Sequence, residues 1–143
     1  MSELISPYIS VAEFRCSHCG RLPPGLKKDE NLSWPLVFLY LFERFADLRE
    51  RWGRAITISS GYRCFDHPLS RNGISVHNFG LALDLAITVD EMPSFIGMVD
   101  DMFPELRMGV NTKPGEVHVH IDNGFFIRPP YSDSLVEGSR WEE

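Results

Sequence analysis

A chain of 143 residues, with 43% hydrophobic and 24% charged side chains, has the material for one globular domain with a sizeable core, and no apolar run is long enough to span a bilayer. The formal net charge of -6 argues against a protein that tracks a nucleic-acid backbone, because that affinity comes from Lys and Arg neutralising phosphates. Three cysteines, and an opening stretch with no basic region followed by an apolar one, predict synthesis in a reducing compartment without a secretory leader.

Residues 1–32 are expected to be irregular around the Pro23-Pro24-Gly25 breaker, apart from a helical turn opened by Ser10 with Glu13 as its capping-box partner. Ser33-Trp34-Pro35 opens the clearest helix, with Ser33 as cap and Pro35 in the first turn. Leu39, Phe42, Phe45, Leu48 and Trp52 recur at helical spacing and predict its buried stripe, and Gly53 ends it. Residues 55–59 read as a strand. The loop from Ser60 to about Ser75 is long for a compact domain, which points to function. Residues 81–87 are apolar except for Asp84 and predict a buried strand. A helix is expected over 89–103, buried through Met92, Phe95, Ile96, Val99 and Met102 and stopped by Pro104. Strands over 107–111 and 117–121 flank a turn at Lys113-Pro114-Gly115. The polar tail 129–143 is expected to be loosely held, with Trp141 as its docking candidate. The sum is a single α+β domain over 1–143: a small, mostly antiparallel sheet with a long helix packed on one face.

The chemistry concentrates in two stretches. In Glu116-Val-His118-Val-His120-Ile-Asp122, side chains two apart share a face, so Val117, Val119 and Ile121 turn to the core. His118 and His120 then lie about 7 Å apart on the other face. Ser75-Val-His77-Asn-Phe-Gly80-Leu-Ala82-Leu-Asp84 places a carboxylate inside an apolar strand, where it is costly unless a metal, a cation or strong donors meet it. His77, Asp84 and one imidazole of the later strand make a set that suits Zn²⁺ with one position open for water. Cys16-Ser-His18-Cys19 is a C-x-x-C to which Cys64 or His67 could add ligands for a second, structural metal; buried or surface thiols are the simpler expectation.

The second stretch resembles the S-x-H-x-x-G-x-A-x-D motif of the zinc D-alanyl-D-alanine carboxypeptidases and related phage endolysins, metallopeptidase family fifteen, which share a fold with the hedgehog signalling domain. Ile58-Ser-Ser-Gly-Tyr-Arg63 resembles that family's S-G-Y-R segment. His120-Ile-Asp122 resembles its closing H-V-D, and Phe14-Arg-Cys16 resembles the E-F-x-C opening of one branch. The likeness runs over about residues 8 to 128, in four segments in the right order. It implies zinc ligands at His77, Asp84 and His120, a transition-state or proton-handling role for His118, and a substrate-gripping role for Arg63. Ser75 would orient substrate or the first ligand. Many relatives carry an acid three residues before the last ligand; here that position is Val117, and the nearest acid is Glu116. The base is therefore expected to be His118, by spacing, or Glu116, by chemistry. Strand parity sets Glu116 on the site face but about 13 Å from His120. Asp122 is expected to brace a ligand histidine or to cap the strand.

The implied substrate is a peptidoglycan stem or cross-bridge peptide, cut by a monomer that is made in the cytoplasm and reaches the cell wall after release or on a virion. The rival is a module of the same fold that keeps the zinc without turnover.

Overall fold

A computed structural model describes residues 3–28, 30–31, 34–69, 75–127 and 135–143, and it is a mixed α/β protein. The N-terminal stretch is more ordered than its composition predicts: β1 (Leu4–Ser6) and β2 (Ile9–Ser10) pair antiparallel. Ser10 then caps α1 (Val11–Phe14) through the expected box. Its hydroxyl accepts from the Glu13 N–H, and the Glu13 carboxylate accepts from the Ser10 N–H.

The long helix α2 runs Leu36–Trp52. Pro35 stands at its N-cap, two residues later than the expected cap at Ser33, and no side chain caps it; Ser33 lies outside the described residues. Gly53 closes the far end, its N–H donating to the Arg49 carbonyl at 3.2 Å. The buried stripe is Phe38, Leu41, Phe42, Phe45 and Leu48. It is rotated slightly from expectation, so Leu39 and Trp52 are half-buried at its margin, Trp52 meeting the Phe95 ring edge-on.

Among the described residues the main sheet has the strand order β3 (Ile58–Ser60), β4 (Ala82–Leu85), β6 (His118–Asp122), β5 (Arg107–Asn111), β7 (Arg140–Glu142). Neighbours are antiparallel except β5 and β7, which run parallel. Helix α3 (Met92–Met102) starts later than residue 89, because Thr88 and Glu91 bond each other in a separate turn. Met98 joins Met92, Phe95 and Val99 in its buried face, and Ile96 and Met102 are half-buried.

One core unites these elements. Helix α2 lies beside α3 and β1 and sends its stripe into the cluster that also holds Leu83, Leu85, Met108, Val119 and Ile121. Those five sheet residues alternate with Ala82, Asp84, Arg107, Gly109, His118, His120 and Asp122, which sets all the polar side chains on the opposite face.

The tail carries the largest departure. Residues 129–134 lie outside the described residues, but 140–142 form β7, an ordered edge strand rather than a loose end. Trp141 pairs with Gly109, where an added Cβ would come within 2.5 Å of the indole, so the glycine is what admits the ring. Arg140 fastens the strand through Asp100, at 2.8 Å, and the Leu106 carbonyl.

Candidate metal centre

Three strands or turns converge on one point. Ser75 accepts from the His77 N–H at 3.2 Å, and the Asn78 side chain accepts from the Ser75 N–H at 2.7 Å; this box opens the 3-10 turn Val76–Phe79 that aims His77. Asp84 of β4 and His120 of β6 are directly paired across the sheet. The result is that His77 Nε2, Asp84 Oδ1 and His120 Nδ1 meet. His77 Nε2 is 3.2 Å from each of the others, and His120 Nδ1 is 3.0 Å from Asp84 Oδ1. All three residues are buried.

The surrounding bonds fix which atoms face inward. His77 Nδ1 donates to the Gly61 carbonyl at 2.7 Å, so its Nε2 presents a lone pair. His120 Nε2 donates to Asp122 Oδ2 at 2.5 Å, so its Nδ1 does the same. Asp122 is wholly buried and also accepts from Arg107 Nε and the Gly124 N–H, each at 2.8 Å. Arg63 Nη2 donates to Asp84 Oδ2 at 2.8 Å, which leaves Oδ1 for the centre. Three electron-pair donors thus crowd together with no obligatory proton between them.

Such an arrangement calls for a positive charge. Burial pushes His77 below its ordinary value. Burial works the same way on His120, yet the Asp122 and Asp84 carboxylates overcome it and push that imidazole up to about 9. Asp84 would be raised by burial, but the His120 and His77 imidazoles set against its Oδ1 hold it far below the usual carboxylate range. A divalent ion meets the same demand better than one proton. Bonds of about 2.0 Å to a tetrahedral ion put ligand atoms about 3.3 Å apart, close to the separations seen. Two imidazoles and a carboxylate also leave one position open, and Asp122 and Gly61 supply the outer hydrogen bonds that ligand histidines need.

His118 stands at the rim. Its Nε2 is 3.8 Å from Asp84 Oδ1 and 2.9 Å from Glu143 Oε2, and its Nδ1 donates to the Glu116 carbonyl at 2.7 Å. The bond to Glu143 is the main reason the imidazole is raised above its ordinary value. Glu116 itself precedes β6, in a turn closed by its N–H on the Lys113 carbonyl, with its side chain exposed. The parity argument that set its carboxylate on the site face therefore has no strand to act through. Its backbone, not its carboxylate, touches His118.

The sequence did not reveal the contact of Glu143 with His118 or the platform beside it. The Trp141 ring lies 5.5 Å from the His120 ring, and the Arg107 guanidinium lies 4.7 Å from the indole centre on its way to Asp122. The available signal was Gly109, a lone glycine inside a strand, which marks close approach by another group.

The model of the family described as Peptidase M15 matches residues 7–122. Neither the curated proteins nor the solved structures contain a match. The matched span covers well over half of the sequence and takes in His77, Asp84 and His120. With its metal-ready donors and that match, the chain belongs to the Peptidase M15 family, whose members are metal-dependent peptidases.

Proposed function

We propose that this chain is a zinc peptidase that hydrolyses stem or cross-bridge peptides of peptidoglycan, as a D-Ala carboxypeptidase or an endolysin-type endopeptidase. The observation that carries the reading is the convergence of His77, Asp84 and His120 beside the His118–Glu143 pair. The substrate class rests on the family likeness of the four sequence segments.

Bound zinc would supply Lewis acidity, lowering the pKa of water and polarising the scissile carbonyl. The chain's own groups manage the protons. Glu143 accepts the proton given up by the attacking water, and His118, already a donor at both nitrogens, protonates the leaving amine. Transfer across their 2.9 Å bond resets the pair. Arg63 holds Asp84 and offers its guanidinium fork to a substrate carboxylate or carbonyl. Ser75 acts through His77, whose N–H it receives. The Glu116 carboxylate would take part only if the 112–117 turn closed over bound peptide.

The alternative is a module that retains the ion without turnover, and Val117, at the position where many relatives carry an acid, favours it. Digestion of purified peptidoglycan by the zinc-loaded protein, with and without chelator and with products identified by mass, separates the two. New amino and carboxyl ends formed only with metal support the peptidase. Retained zinc with every peptide bond intact overturns it.

A further inference from the structure

The structure assigns a second metal site, separate from the one above: a structural Zn²⁺ held by Cys16, Cys19 and Cys64, with His67 as fourth ligand. All three cysteines are thiols, and their sulfur atoms lie within 4.8 Å of one another although Cys64 is 48 residues from Cys16. Bonds of about 2.3 Å to a tetrahedral ion set sulfurs about 3.8 Å apart, which modest side-chain rotation reaches.

The local backbone is shaped like a ligand knuckle. The Cys16 N–H donates to the Arg21 carbonyl at 2.9 Å, and the Gly20 N–H returns to the Cys16 carbonyl at 2.8 Å. Gly20 has φ +73°, so the chain reverses directly after the second cysteine. Two backbone N–H groups, from His18 and Cys64, point at the Cys16 sulfur at 3.4 and 3.3 Å. Donors of that kind suit a thiolate that shares its charge with a cation. Cys16 and Cys64 are buried and Cys19 is half-buried, so the site is closed, as in structural zinc centres.

The fourth ligand follows from spacing and position. Cys64-Phe-Asp-His67 repeats the two-residue gap of Cys16-Ser-His-Cys19. The His67 N–H donates to the Cys64 carbonyl at 3.0 Å, which turns His67 back toward that cysteine. Its Nδ1 accepts from the Leu69 N–H at 3.1 Å and its Nε2 lies 3.2 Å from the hydroxyl of Ser17, between the first two cysteines, so the ring has to turn from these partners to ligate. His18 is the competing imidazole, its ring 6.1 Å from that of His67, but it is exposed where His67 is half-buried.

Such a site would brace the first one. The segment between Cys16's partner thiol and β3 carries Gly61, whose carbonyl sets the His77 tautomer, and Arg63, which grips Asp84. An ion at Cys64 pins that segment from behind.

The test uses the full chain, reduced and loaded with Co²⁺ as a probe. The expected result is intense thiolate-to-cobalt charge-transfer absorption that survives His77→Ala and disappears in Cys19→Ser. His67→Ala should shift the spectrum and release metal to a weaker chelator, while His18→Ala should do neither. No charge-transfer absorption in the reduced wild-type protein overturns the site whatever the variants do, as does a Cys16–Cys64 disulfide in protein purified without oxygen. Release by His18→Ala and not by His67→Ala overturns the fourth ligand. Because His77→Ala removes only the other ion, failure of the peptidase reading leaves this spectrum unchanged and is told apart from failure here.

Discussion

The Glu143 carboxylate meets Nε2 of His118 at 2.9 Å, across 25 residues of sequence and from the residue that follows β7. The pairing holds His118 above its ordinary pKa and Glu143 below its own, each by virtue of the hydrogen bond to the other. Glu143→Gln should keep the ion and the fold but lower kcat by about a hundredfold, the lower end of what a positioned acid–base group contributes. Steady-state kinetics together with metal analysis read this directly. Unchanged kcat at full metal occupancy would remove Glu143 from the mechanism.

His118 and His77 should separate cleanly by metal content. His118→Ala leaves the three inward-facing donors in place, so metal stays near wild-type while turnover falls by roughly 10²- to 10⁴-fold. His77→Ala deletes a donor, so both metal and turnover fall. Elemental analysis after dialysis, alongside peptide hydrolysis, distinguishes the two. Equal metal loss in both variants would make His118 a ligand.

Asp122→Asn tests the outer hydrogen bond. Asp122 is fully buried and answers His120, Arg107 and the Gly124 amide at once. An amide can still accept from one or two of them, but it cannot balance the Arg107 charge. The expected outcome is a 10- to 100-fold weaker metal affinity, the usual cost of losing such a partner. It should come with a loss of about 3–5 kcal/mol in stability, typical of breaking a buried ion pair. Competitive chelation and chemical denaturation measure the two effects separately.

Gly109→Ala should injure activity from outside the centre. The new methyl would come within 2.5 Å of the Trp141 indole, so β7 has to move and take Glu143 with it. A stability loss of about 1–3 kcal/mol is expected from the overpacking, with a fall in kcat like that of Glu143→Gln. Near-ultraviolet circular dichroism of Trp141 and thermal denaturation follow the displacement. A variant with native spectra and native kcat would show that the edge strand does not deliver the carboxylate.

The residues most legible in the sequence are those whose neighbours are local or strictly periodic. The Ser10–Glu13 box, the body of α2, the Val119–Ile121 alternation and the isolation of Asp84 in an apolar strand all declare themselves within a few positions. What stayed hidden depends on remote partners or on where a turn ends. Lys113-Pro114-Gly115 was readable as a turn, but two further bonds extend it. The Asn111 side chain accepts from the Lys113 N–H, and the Lys113 carbonyl accepts from the Glu116 N–H. They keep 116 and 117 out of the strand and break the parity that linked Glu116 to His120. The tail misled for a different reason. A three-residue parallel edge strand needs no alternation, and its apolar content is a single tryptophan whose berth is a glycine more than thirty positions earlier.

The parallel edge strand has a kinetic corollary. Strand β7 borders the sheet on one side only and is three residues long, whereas β6 is enclosed by β4 and β5. Short borders of this kind fray at far lower free energy than enclosed strands, so amide exchange should run fastest at 140–142 and slowest at 119–121. On the proposed mechanism the donor cluster can thus be complete while the carboxylate paired with His118 comes and goes, and a nick in 135–139 would leave a loaded but inert molecule.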